Sequence, residues 1–363
     1  MTREQAGVPR RLPAGAAMLV LLVLLFAAGV FSVGTGDVPT PPVQVVRAAL
    51  HPVLPGLVSP PAPQRVPAAL GGRIMSGSEV GETIRDRLPR VLLAALVGAA
   101  LSVAGAALQG LIGNPLADPY TIGVSSGASV GAGAAIFLGI DAALGGFALP
   151  LCAFATALLT LAFVFALARV GGRLHTASFL LAGIVVGSFL WALTTLLLSL
   201  KQSTQERLLL YLMGRFTEAT WPQLVALAPL VLGGVVLFTL AGRGLDAMSF
   251  GEDTARSVGV DVEKFKAGVL VLAAFVTAAS VAVAGIIGFV GLVVPHLARK
   301  LVGPPHRALM PVSALLGALL SVLADLIART ALGGGQELPV GVVTALLGAP
   351  FFAYLLRRQN GAG

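Results

Sequence analysis

Long, closely spaced apolar runs constrain this chain more than any other feature. A helix crossing a membrane needs about 20 mostly apolar residues, and windows of that size lie at 12–33, 91–112, 120–140, 143–168, 177–200, 221–241, 311–332 and 338–356. A ninth window runs longer, from 267 to about 298. Its middle, VAVAGIIGFVGLVVPH, carries Gly285, Gly288, Gly291 and Pro295. It is either one kinked helix or two helices joined by a tight turn near Gly285.

Positive charge separates the two. With a turn at Gly285 there are ten spans, and alternate loops collect Arg3, Arg10, Arg11, Arg169, Arg173, Arg243, Arg256, Lys264, Lys266, Arg299, Lys300, Arg307, Arg357 and Arg358 on one side. The short loops opposite keep Lys201, Arg207, Arg215 and Arg329. Since cytoplasmic loops are enriched in Lys and Arg, the expectation is an all-α polytopic protein of about ten helices in the cytoplasmic membrane, both termini cytoplasmic. The N-terminal segment also has the basic start and apolar core of a signal peptide, which keeps cleavage open. The expected organisation is a cytoplasmic stretch at 1–11 and one transmembrane domain over 12–358. Within it lie a long extracytoplasmic loop at 34–86, proline-rich from 36 to 78, and a cytoplasmic loop at 242–266.

Composition agrees: 56% of residues are hydrophobic, 11% are charged and the mean hydropathy is +0.93, outside the range of soluble domains. The formal charge of +8 accompanies arginines that flank spans and form no dense basic run, so no nucleic-acid partner is expected and the lipid bilayer is. A single cysteine, Cys152, excludes an internal disulfide framework.

The spans hold few ionisable groups. Asp325 stands four residues before Arg329, where an i, i+4 ion pair would lower its cost in the membrane. No chain of buried carboxylates and histidines follows, which opposes the main alternative, an ion-coupled secondary transporter. His51, His175, His296 and His306 are scattered without metal-ligand spacing, so no metal is expected, and no nucleophile and base combine into an enzyme site. The chain contains no Gly-Lys pair, hence no phosphate-binding loop of the GxxxxGK[ST] form. It is expected to be no ATPase and to bind no cofactor itself. ALGGGQELP at 331–339 reads as a tight turn between spans. Small residues line two helix faces, Ala94, Gly98, Ser102 and Gly105 on one, Gly123, Gly127 and Gly131 on the other. Such faces are packing seams in lipid, or surfaces along which a pathway can run.

Energy would then enter through a partner gripping the cytoplasmic loop RGLDAMSFGEDTARSVGVDVEKFKA. Ser249 and Glu252 have capping-box spacing for a short helix, Gly259 can end it in the left-handed conformation, and Asp261 can cap the next helix. A plain surface connector is the alternative. On the other side, RLPR at 87–90 is expected to open a span, where positive charge opposes the helix dipole. With Arg329 it would form a guanidinium cluster fit to receive carboxylates, or act as snorkelling anchors.

Three stretches, RLPRVLLAALVGAALSVAGAALQGLIGNPLADPYTIGVSSGA, GFVGLVVPHLARKLVG and ADLIARTALGGGQELPVGVVTALLGAPFF, resemble the permeases of ABC importers for iron chelates and vitamin B12. The likeness covers roughly 85–358. It implies ten spans per subunit, a homodimer, two cytoplasmic ATPase subunits that bind ATP and Mg, and an extracytoplasmic substrate-binding protein. By that resemblance Arg87, Arg90 and Arg329 meet acidic residues of the binding protein. The segment 245–262, with Ser249, Gly251, Glu252, Ala255, Gly259 and Val260, couples to the ATPase. Asn114, Leu116, Thr176 and Ala177 line the cytoplasmic gate. Ala177 departs from a small hydroxyl residue found in relatives, and Gly113 replaces a charged one.

GNPLADPYTIGVSSGASVGAG at 113–133 then reads as a gate: Pro115 and Pro119 stop the preceding helix and expose backbone that a membrane tolerates only beside protein or a wet cavity. The following Gly and Ser face is expected to press on the pathway or the twin subunit. An iron chelate, siderophore or haem, is the expected cargo, with cobalamin as the alternative.

Overall fold

The computed structural model describes residues 12–360 except 37–38, 52–53, 55–57, 67–73, 142, 171–172 and 333–335. The expected tight turn at glycines 333–335 and the N-terminal stretch 1–11 therefore lie outside the described residues.

Fourteen helices are described: α1 (Ala14–Gly34), α2 (Pro42–Leu50), α3 (Gly77–Ile112), α4 (Val124–Leu138), α5 (Ala148–Ala168), α6 (Thr176–Leu200), α7 (Gln202–Leu212), α8 (Trp221–Leu240), α9 (Gly242–Met248), α10 (Glu252–Ser257), α11 (Val262–Ala284), α12 (Val290–Val302), α13 (His306–Thr330) and α14 (Val340–Asn360). Seven of them, α1, α3, α5, α6, α8, α11 and α13, are long and apolar enough to cross a membrane. The shorter apolar helices α4 and α14, with α12, complete the ten expected spans. Among the described residues, strand content is confined to two antiparallel ladders of two residues per strand, Gln64–Arg65 with Ile74–Met75 and Arg169–Val170 with Arg173–Leu174.

The long ninth window breaks where its glycines predict. α11 ends at Gly285, whose φ of 72° and ψ of −162° suit a residue without Cβ, and α12 starts after Phe289. Loss of helical hydrogen bonds over 285–289 is offset by neighbours: Arg215 N donates to Ala284 O, and the Tyr120 hydroxyl donates to Ile287 O and accepts from Ile287 N.

α3 is the central column, packed by α13, α11, α12, α8 and α1. Its 36 residues span about 54 Å at 1.5 Å per residue, more than a hydrocarbon core of about 30 Å, so its first turns project beyond the apolar belt. Here the structure corrects the sequence reading. α3 does not open at RLPR but ten residues earlier, at a capping box in which the Ser76 side chain accepts from Glu79 N and the Glu79 carboxylate accepts from Ser76 N at 2.7 Å. Arg87 and Arg90 thus sit inside a helix, away from the unfavourable end of its dipole, and the preceding loop stops at Ser76 rather than 86. That loop also contains α2, which Pro42 can open because a first-turn residue needs no helical N–H.

Both small-residue faces are packing seams. A methyl at Gly98 would overlap the Gly317 carbonyl of α13, and one at Gly105 the Gly291 carbonyl of α12. Gly127 and Gly131 of α4 lie against Thr160, Thr156 and Cys152 of α5 in the same chain. The Gly and Ser face following the 113–123 loop is therefore spent inside the subunit, not on a pathway or a twin, because only a face without side chains lets α4 and α5 approach this closely.

Candidate functional site

The bundle has two polar ends. At the first, four charges from three elements meet. Arg90 Nε donates to both oxygens of Asp325, at 3.0 and 3.2 Å, and its two terminal nitrogens grip Glu337 at 2.9 and 3.0 Å. Arg329 Nε stands 3.2 Å from Asp325 Oδ2, the i, i+4 pair expected from the spacing. Its terminal nitrogens donate to Thr35 O and Ser32 O at 3.0 Å and to Ser32 Oγ at 2.5 Å, pinning the end of α1. Asp325 is 1% exposed, so its charge is sustained by the two guanidiniums around it. Glu337 lies in the connection between α13 and α14. Burial is the largest single influence and works against its charge, but the hydrogen bonds and charge of Arg90, with the Thr217 hydrogen bond and the Arg329 charge, together outweigh it and hold its carboxyl below the usual carboxylate range. Thr217 adds a hydrogen bond to it at 3.0 Å.

Of the three arginines that the sequence reading grouped, Arg90 and Arg329 share Asp325, while Arg87 and Arg329 both reach backbone carbonyls at the end of α1. That reading missed that Arg90 and Arg329 spend their hydrogen bonds within the chain and that Glu337 completes the network. The available signal was the lone acid of QELP, one connection away from Arg329. Arg87 is half-buried and donates to Val33 O at 3.2 Å.

At the opposite end, α9 and α10 form a short helix-turn-helix. The expected capping box is absent: Ser249 Oγ donates back to Leu245 O at 2.9 Å, and Gly251, at φ 105°, occupies the N-cap. Glu252 instead pairs with Arg256 at 3.0 Å and with the buried Lys266 at 2.9 Å, two cations that outcompete a cap two residues from a glycine turn. The C-terminal expectation holds. Gly259 has φ 88°, Gly259 N donates to Arg256 O and Val260 N to Ala255 O, the paired closure of a Schellman motif. Asp261 caps α11 by accepting from Lys264 N, and the Lys264 ammonium holds its carboxyl low. Ala255 is fully buried, whereas Phe250 at the turn is 79% exposed and Val258 65%.

The hairpin is bolted to the bundle. Asp246 accepts from His306 N at 2.9 Å and meets His306 Nδ1 at 2.6 Å, and Gly242 lies against Arg307. The His306 ring rests on Gly110 of α3. Just beyond, Gly113 ends α3 at φ 68°, and the Asn114 side chain accepts from Leu116 N at 2.9 Å, an Asx turn that fixes the NPLADP loop. Asn114 and Leu116 are exposed. Thr176, half-buried, and Ala177, exposed, open α6, which meets the same loop two turns on, where Gly183 packs on Thr121 and Ile122.

A ten-span helical bundle with an ion network at one end, a gate-like loop and a rigid surface hairpin at the other, defines a polytopic membrane transport protein. Its kin fix the class further. Residues 19–358 match the FecCD transport family, to which this chain belongs as an ABC importer permease. It is 45% identical over 274 residues to the cobalamin import system permease protein BtuC of Halobacterium salinarum, covering 76% of this chain and 73% of that protein. Identity to the hemin transport system permease protein HmuU of Yersinia pestis is 42% over 277 residues, covering 76% and 82%. A solved inward-facing metal-chelate type ABC transporter superposes with a TM-score of 0.77 at 28% identity, over 95% of this chain and 99% of that one.

Proposed function

We propose that this permease works as a homodimer in the cytoplasmic membrane, takes an iron chelate from an extracytoplasmic binding protein, and is driven by two separate ATPase subunits that hold ATP and Mg. The observation that carries the reading is the α9–α10 hairpin. A six-residue helix closed at its end by Gly259 and tied to α11 through Glu252 and Lys266 is a rigid object. Phe250, in a polar loop and 79% exposed, is the kind of aromatic anchor that a protein partner buries. A partner seated there would move α9, and α9 holds the first residue of α13. This end is the cytoplasmic one, with both termini, and the Asn114, Leu116, Thr176 and Ala177 region beside it is the gate. The Arg90 end then faces the binding protein. Because Arg90 and Arg329 are committed to Asp325, Glu337 and α1, they build the platform, and Arg87 contributes docking charge to it. Chelated iron is favoured as cargo by the hemin permease and the metal-chelate transporter among its relatives. Cobalamin, favoured by BtuC, is the second reading.

The test is reconstitution in vesicles with the cognate ATPase and binding protein, comparing uptake of labelled ferric siderophore, hemin and cobalamin. Uptake of an iron chelate that needs ATP, the ATPase and the binding protein supports the proposal. Uptake driven by an ion gradient without ATP, or stoichiometric ATP binding by this chain alone, refutes the division of labour. Uptake of cobalamin alone selects the second reading.

A further inference from the structure

The proline at 295 creates a vacancy in the hydrogen bonding of α12. In a helix the carbonyl of residue 291 accepts from the N–H of residue 295, and proline has none. Gly291 O is therefore left without its helical donor. Gln109, on α3 and 3% exposed, supplies one from across the interface, its Nε2 lying 3.3 Å from Gly291 O and 3.3 Å from Leu292 O. The same Nε2 lies 3.4 Å from Ala117 O, in the middle of the NPLADP loop. Its Oε1 accepts from Arg299 Nη1 at 2.5 Å, which fixes which end of the amide carries the donors.

An amide group has two protons, and three carbonyls stand at nearly equal distance from this one. Leu292 O keeps its own helical donor, the N–H of residue 296, so the two protons fall to Gly291 O and Ala117 O. The side chain is thus shared between the loop and α12, with Arg299 as its fixed pivot. Around it the loop touches α12 and the break before it twice more: Pro119 lies against Gly291, and the Tyr120 hydroxyl serves both backbone groups of Ile287. Gly110, the next residue along α3, carries the His306 ring that Asp246 of α9 holds.

We propose that Gln109 is the positioning residue that ties the NPLADP loop to α12, holding the Ala117 carbonyl and the Gly291 carbonyl through one amide, so that displacement of α9 reaches the gate through α13 and α3. This rests on the gate and coupling assignments proposed above. Two substitutions isolate the amide. Gln109→Glu keeps an acceptor for Arg299 and removes both donors. Gln109→Met keeps the volume and removes every hydrogen bond.

The experiment uses the permease assembled with its ATPase in vesicles, carrying Leu116→Cys in a Cys152→Ala background. Crosslinking across the dimer is compared in nucleotide-free and ATP-trapped states, and cargo moved per ATP hydrolysed is measured in parallel without crosslinker. With Gln109 intact, the crosslinking yield must change with nucleotide; if it does not, the gate assignment fails and this proposal falls with it. Given that change, Gln109→Glu is expected to shrink it and to lower cargo moved per ATP about fivefold, the worth of a buried hydrogen bond, while ATP hydrolysis continues. Gln109→Met is expected to do the same. Wild-type state dependence and wild-type cargo per ATP in either variant overturn the proposal. So does failure of both to assemble, which would make Gln109 a folding residue.

Discussion

Replacing Asp325 by Asn tests whether the four-charge network is structural. Asp325 and Glu337 balance Arg90 and Arg329, so the group is neutral as built. Asn removes one negative charge with almost no change of shape. It leaves two guanidiniums, whose side chains are 15% and 10% exposed, sharing one remaining carboxylate. Breaking a buried ion pair from one side costs about 3–5 kcal/mol, because the surviving charge stays desolvated. Glu337 is 33% exposed, so Glu337→Gln lets water take over part of its role and should cost about 1 kcal/mol. Restoring neutrality with Arg329→Met in the Asp325→Asn background should recover part of the loss, making the double variant more stable than the sum of the singles predicts. Denaturant titration of the detergent-solubilised permease, followed by fluorescence of Trp191 and Trp221, reads the stabilities of wild type, the three single variants and the double variant. Equal losses for Asp325→Asn and Glu337→Gln would refute the reasoning, as would strict additivity in the double variant.

Gly105→Ala places a methyl on the Gly291 carbonyl, which forces α3 from α12 and should cost about 1–3 kcal/mol, read by the same titration; an unchanged midpoint would show that the seam is slack. Ala255→Pro removes the donor of the Ala255 N to Gly251 O hydrogen bond at 3.0 Å and should destabilise α10 by about 3 kcal/mol, releasing the ATPase in co-purification or uncoupling hydrolysis from uptake. Full transport by that variant would remove the hairpin from the coupling path. Arg87→Glu should weaken binding-protein docking, and the wild-type affinity should fall with added salt as exposed charges are screened; unchanged affinity would make Arg87 an anchor. Glu337 has its pKa lowered in the fold, so its contribution is complete above the unfolded value of about 4.3 and fades as pH drops through the lower folded one. The stability gap between wild type and Glu337→Gln should therefore close in acid, and a gap unchanged by pH would contradict the Arg90 assignment.

What the sequence by itself determined is the part governed by near neighbours in the chain. Apolar run length marks the spans, glycine marks the break at 285 and the end of α10 at 259, and spacing of four pairs Asp325 with Arg329. These signals act within one or two helical turns, and they are read wherever local preference is unopposed. Even there competition misleads: Ser249 and Glu252 have cap spacing, but Lys266 and Arg256 claim the carboxylate, and Ser76 with Glu79 start α3 well before the apolar run that draws the eye. Tertiary structure alone decided which distant groups share a site. Arg90 meets Asp325 across 235 residues of chain and Glu337 across 247, and Gln109 meets Arg299 across 190. No periodicity records such pairs, because what brings them together is the close approach of backbones at Gly98 and Gly105, and a buried charge or amide is tolerated only where that approach supplies its partner.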